Sequence, residues 1–181
     1  MLSKLFGKKK LKEDALANLF VNATLETVEA AYADIVGLIN EAPEFAQSPG
    51  LSEDNDSKFL LIVLAANLKE IPNHLPAHQD NRLISQIIGK LSAVFDVSES
   101  KLEGILREYQ SYLGRVNHPS NNNLYAMSKA VFFKYELGQF QEDYFKNMNS
   151  PNPLFLKRLD EAMMLFLFNW EAAKNDYNIV E

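Results

Sequence analysis

A chain of 181 residues with 47% apolar and 23% charged residues has the composition of one folded domain large enough to bury a core. The absence of cysteine excludes disulfides, thiolate metal sites and thiol nucleophiles. Charge is split, with five lysines and no acid in residues 1–12 against 13 basic and 24 acidic residues in the remainder, and so acidic a body excludes broad nucleic-acid binding.

In chain order, MLSKLFGKKKLK reads as a basic, flexible head over residues 1–12. It lacks the apolar stretch of a secretion signal, and Leu2 stands where N-myristoylation needs glycine. Leu2, Leu5, Phe6 and Leu11 among the lysines give at most a weak anionic-membrane contact. A short helix is expected over Glu13 to Val21. A second is expected through Leu25, Val28, Tyr32, Ile35 and Ile39, with Thr24 as its N-cap and Pro43 as its stop. The stretch Ala42 to Ser57, with two prolines, a glycine and SEDNDS, reads as a solvated loop.

FLLIVLAA, residues 59–66, is the longest apolar run and falls far short of the ~20 residues that cross a bilayer. Its continuation through Leu68, Lys69 and Glu70 to Pro72 favours a central buried helix over a strand. Stripes at Leu83, Ile84, Ile87, Ile88, Leu91 and at Leu102, Ile105, Leu106, Tyr109, Leu113 predict two further helices. Asp80 and Ser100 are the expected caps, the latter with Glu103 in capping-box spacing. A helix from Leu124 to about Gly138, a shorter one through Phe140 and Met148, and a last one from Pro153 to Trp170, capped by Asn152, complete the chain. Residues 176–181 are expected to fray.

The predicted fold is therefore all-α: a single-domain bundle of about seven or eight helices over residues 13–175. LGQFQEDYFK followed by NSPNP resembles the turn and second helix of a tetratricopeptide repeat. That alignment puts Asp143 where a small helix-packing residue belongs, and the stripe starts at Leu83, Leu102 and Leu124 share no fixed period. No repeat array is expected.

Dedicated chemistry is missing from the sequence. No histidine follows a glutamate by three residues, and the His74/His78 pair is interrupted by Pro72 and Pro76, so no metal is expected. Phosphate-binding glycine loops and the G-x-S-x-G elbow are absent, so no cofactor is expected and an enzyme lacks support.

Two features remain. The first is RVNHPSNNNLYAMSKAVFFKY, residues 115–135. Read structurally, Asn117 and His118 end one helix before Pro119, and Ser120 or one of Asn121 to Asn123 caps the next. Read functionally, Arg115, Asn117 and His118 form an anion pocket or catalytic site, with Lys157 and Arg158 adding positive charge. The second is aromatic crowding. Of 20 aromatic residues, 14 lie between Tyr109 and Tyr177, in doublets such as Phe132-Phe133 and Tyr144-Phe145, with Met163-Met164 followed by LFLFNW. Neighbours on a helix diverge by about 100°, so one core stripe cannot absorb them all. The sequence therefore reads first as a cytoplasmic, non-catalytic interaction protein. Its aromatic C-terminal helices would contact a protein partner or a second copy, through Phe133, Tyr144, Phe168 and Trp170. Small-ligand or anion binding at Arg115–His118 ranks second, and membrane-surface association through the head third.

Overall fold

The computed structural model describes residues 7–180. Eight α-helices occur among them: α1 (Glu13–Asn40), α2 (Ser57–His74), α3 (Gln79–Phe95), α4 (Glu99–Asn117), α5 (Asn123–Lys134), α6 (Asp143–Asn147), α7 (Pro153–Met163) and α8 (Trp170–Asp176). Two short strands, β1 (Lys9–Lys12) and β2 (Tyr177–Val180), pair in parallel with Lys9 opposite Tyr177. The all-α bundle is thus as the periodicity predicts, with the strand pair as an addition.

Helix α2 is the axis of the molecule. Phe59, Ile62, Val63, Leu64, Ala65, Ala66 and Ile71 are fully buried, and the helix packs on α1, α3, α4 and α5. A helix apolar on nearly every side has to be enclosed, which is why the run at residues 59–64 is helical rather than extended. Burying each such large side chain stabilises the fold by roughly 1.5–3 kcal/mol. The N-terminus of α2 is held by a tyrosine pair. Tyr135 Oη donates to the Asn55 carbonyl at 2.7 Å and accepts from the Phe59 amide at 3.2 Å, with Tyr32 Oη 3.2 Å away. Burial pushes the Tyr135 phenol well above its ordinary range.

Several boundaries differ from expectation. The two helices expected on either side of Thr24 are one 28-residue helix. Thr24 lies in the buried stripe that runs Leu16, Phe20, Thr24, Val28, so it continues the pattern instead of capping it. Helix α2 passes through Pro72 and stops at His74. Helix α3 begins at Gln79, so Asp80 sits in its first turn rather than at its cap. Ser98, not Ser100, caps α4, accepting from the Lys101 amide at 3.3 Å. Helix α5 closes at Lys134, well before Gly138, and is followed by a 3₁₀ turn at Leu137–Phe140.

The long loop is mostly exposed, as expected, but it is anchored at several points, and the described segments near the two ends are paired. Residues 9–12 and 177–180, expected as parts of a flexible head and a frayed tail, hydrogen-bond to each other. In the 42–57 loop, the Asn40 side chain both donates to and accepts from the Leu51 backbone, at 2.9 and 2.8 Å. Phe45 of the same loop is buried against Phe155, their rings 4.6 Å apart. No helix among the described residues is long and apolar enough to cross a membrane. The head residues Leu2, Leu5 and Phe6 lie outside the described residues.

Candidate functional site

The C-terminal helix expected from Pro153 to Trp170 is broken, and the break builds a largely apolar cleft surface. Asn152 caps α7 as expected, accepting from the Leu154 amide at 2.9 Å. After Met163, however, the chain makes a 3₁₀ turn (Met164–Phe166) and turns extended at Leu167 before α8 starts. The cause lies 100 residues upstream in sequence. Asn67, buried in the middle of α2, donates through Nδ2 to the Phe166 carbonyl at 2.8 Å and accepts at Oδ1 from the Phe168 amide at 2.7 Å. One side chain thereby satisfies two backbone groups that a continuing helix would have paired internally.

This clamp turns Phe166 and Met163 inward and leaves their neighbours outside. Phe166 is 3% exposed and Met163 fully buried, whereas Met164 and Leu165 are 61% and 63% exposed. Leu165 and Phe166 form a wall shared by two clefts along α1. The first, of about 560 Å³, runs over Leu19, Ala23 and Thr27 and is closed on the other side by residues 164–169 and α8. The second, of about 320 Å³, continues over Ala31, Asp34, Ile35 and Leu38. Their α1 residues fall at steps of about four, one face of a helix, so the two clefts lie in line along α1 as successive parts of one groove face. Ala23, Thr27 and Ala31, all small, keep its floor low enough to admit the ridge of another helix. Leu19, also exposed, completes the apolar rim.

The predicted contact residues distribute unevenly around this feature. Trp170 is only 4% exposed and belongs to the core, its ring stacked on His74 at 4.9 Å and 12°, so it is not an available contact residue. Phe168 is half-buried between Phe20 and Trp170, yet lines the groove. Phe133 lines a separate cleft with Gly138 and Lys146, and Tyr144 is exposed on the short α6. The adjacent-apolar signal covers the segment in which the structure leaves large apolar side chains exposed. The exposed side chains there are the aliphatic Met164 and Leu165 rather than the aromatic ones. Asn67 was missed altogether; its signal is a lone polar residue inside an otherwise apolar buried helix, where only a partnered amide is tolerated.

The predicted anion pocket is not gathered in one cleft. Asn117 is buried and donates to the Asn122 carbonyl at 3.0 Å, while Asn122 caps α5 by accepting from the Tyr125 amide at 3.1 Å. These are the helix-ending and capping roles. His118 is exposed at the end of α4, with a cis bond to Pro119. Arg158 is committed to Glu44 at 3.0 Å, and Lys157 lines a cleft with Tyr125, Lys129 and Asp160. Arg115 instead joins Arg107, Tyr109, Tyr112 and Lys134 between α4 and α5. There Lys134 Nζ sits 4.6 Å from both tyrosine ring centres, and the Arg115 guanidinium lies 5.8 Å from that of Tyr112.

No group of three or more histidines, aspartates or glutamates among the described residues is placed to hold a metal ion. His74 packs on Trp170, and His78 precedes α3 at a φ of 76°. No family model, curated protein or solved structure matches the chain.

Proposed function

We propose that this protein acts by binding, as a non-catalytic docking module whose groove along α1 receives a helix of another protein. The observation that carries the reading is the cluster of Leu19, Met164 and Leu165, large apolar side chains left exposed around two clefts in line along one face of α1. Held open by the Asn67 clamp, the channel is preformed, which lowers the ordering cost that a partner must overcome. The cysteine-free composition accords with a cytoplasmic setting. The test is to replace Met164 and Leu165 together with serine in the full chain and compare capture of amphipathic helical peptides. These positions are exposed, so stability should change by no more than about 1 kcal/mol, while capture should be lost. Unchanged capture would refute the reading.

Anion binding stands second, on the observation that Arg107, Arg115 and Lys134 share one cleft. It ranks lower because Arg107 already pairs with Glu103 at 2.5 Å and Lys134 already rests on two tyrosine rings. A thermal-shift titration with inorganic phosphate tests it, and a flat response retires it.

A further inference from the structure

We infer that the occupant of the groove is a basic amphipathic helix of about five turns, carried by a partner protein. The inference rests on the docking reading above and adds the chemistry of the partner. Length comes from α1. The α1 residues lining the two clefts extend from Leu19 to Leu38, which at 1.5 Å per residue spans about 28 Å. A helix lying in it would present apolar residues at three- and four-residue spacing to Leu165, Phe166 and Phe168.

Charge sets the sign of the partner. Asp176 lines the stretch beside Leu19 to Thr27, and Asp34 and Glu161 line the stretch beside Ala31 to Leu38. All three are exposed and none is engaged in an ion pair among the described residues; none of the described lysines or arginines lines either stretch, although Lys8 reaches the Lys174 carbonyl on α8. The lining therefore combines a majority of apolar residues with acidic groups at intervals along both stretches. A neutral helix would leave those carboxylates next to a low-dielectric contact without compensation. An acidic helix would be repelled, whereas lysines or arginines flanking an apolar stripe would meet them. The acidic excess of the chain beyond residue 12 adds long-range attraction for the same kind of partner.

The experiment is fluorescence anisotropy of the full chain with three labelled peptides of about 20 residues. They share one apolar stripe and carry lysine, glutamine or glutamate on the flanking positions. The lysine peptide should bind roughly tenfold or more tighter than the glutamine peptide at low salt, an advantage that shrinks as salt screens the rim. The triple variant Asp34→Asn, Glu161→Gln, Asp176→Asn should erase that advantage, so that the lysine and glutamine peptides bind it equally well at every salt concentration. If the glutamine or glutamate peptide binds as tightly as the lysine peptide, the basic partner is wrong while the groove stands. If no peptide binds, or if Met164→Ser with Leu165→Ser leaves all binding intact, the docking reading itself fails. Self-association that the double serine variant abolishes would overturn the inference by making a second copy the occupant.

Discussion

Replacing Asn67 with alanine should cost about 2–3 kcal/mol, because it strands the Phe166 carbonyl and the Phe168 amide in a buried setting. Chemical denaturation measures that loss, and the same variant should bind amphipathic peptides more weakly as the 164–169 segment loses its clamp. Tyr135→Phe tests a second buried contact. It removes the acceptor for the Phe59 amide and the donor to Asn55, so a loss of about 1–2 kcal/mol is expected from the same measurement. These contacts mark the limit of what single residues disclose. Asn152 was readable as a cap because its partner, Leu154, is two residues away. The partners of Asn67 and Tyr135 were not, since they lie 76 to 101 residues distant in sequence; the apolar surroundings of Asn67 in α2 signal that it needs a partner but not which one.

At the scale of elements, the strand pair gives a direct prediction. Two strands alone are marginal in water, so β1 and β2 hold only by packing on their neighbours. Truncating the chain after Asp176 should abolish amide exchange protection at Lys9–Lys12 while leaving α2 protected. Retained protection at those four lysine-rich positions would contradict the pairing. The pairing was invisible in the sequence because KKLK and YNIV are each too short to show alternation, and parallel partners from opposite ends leave no turn signal. Helix existence was legible from the three-and-four spacing at α1 through α5 and at α7. Helix limits were less so: Thr24 reads equally as a cap or as a member of a buried stripe, and only the packing of Phe20 and Val28 decides between them. The same spacing carried the Pro153 helix past Met163, where a tertiary hydrogen bond overrides local propensity.

For the whole molecule, pH is the informative variable. Burial, reinforced by the Lys174 ammonium and opposed by Glu70, holds the His74 imidazole below its ordinary 6.5. The unfolded chain therefore takes up this proton first. The contribution of neutral His74 is complete above 6.5 and is lost as pH falls below it. Glu13 acts in the same direction at lower pH. Its hydrogen bonds to Arg82, at 2.8 and 3.1 Å, keep its carboxyl below the ordinary 4.5, so that stabilisation is full above 4.5 and disappears as pH drops through the lowered value. Asp160 opposes both, since burial raises its pKa and protonation relieves a buried charge. Thermal unfolding should therefore occur at lower temperature at pH 5.5 than at pH 7.5, and His74→Phe, which keeps a ring against Trp170, should remove most of that difference. An equal difference in the variant would show that His74 is not its source.

The account centres on one surface, the channel along α1 walled by residues 164–169. Amide chemical-shift mapping of the labelled full chain, titrated with the lysine-flanked amphipathic peptide, examines it most directly. Perturbations should concentrate at residues 19–38 and 161–177 and saturate with one peptide per chain. Perturbations centred instead on the Arg107, Arg115 and Lys134 cleft, or spread evenly over the acidic surface, would contradict it.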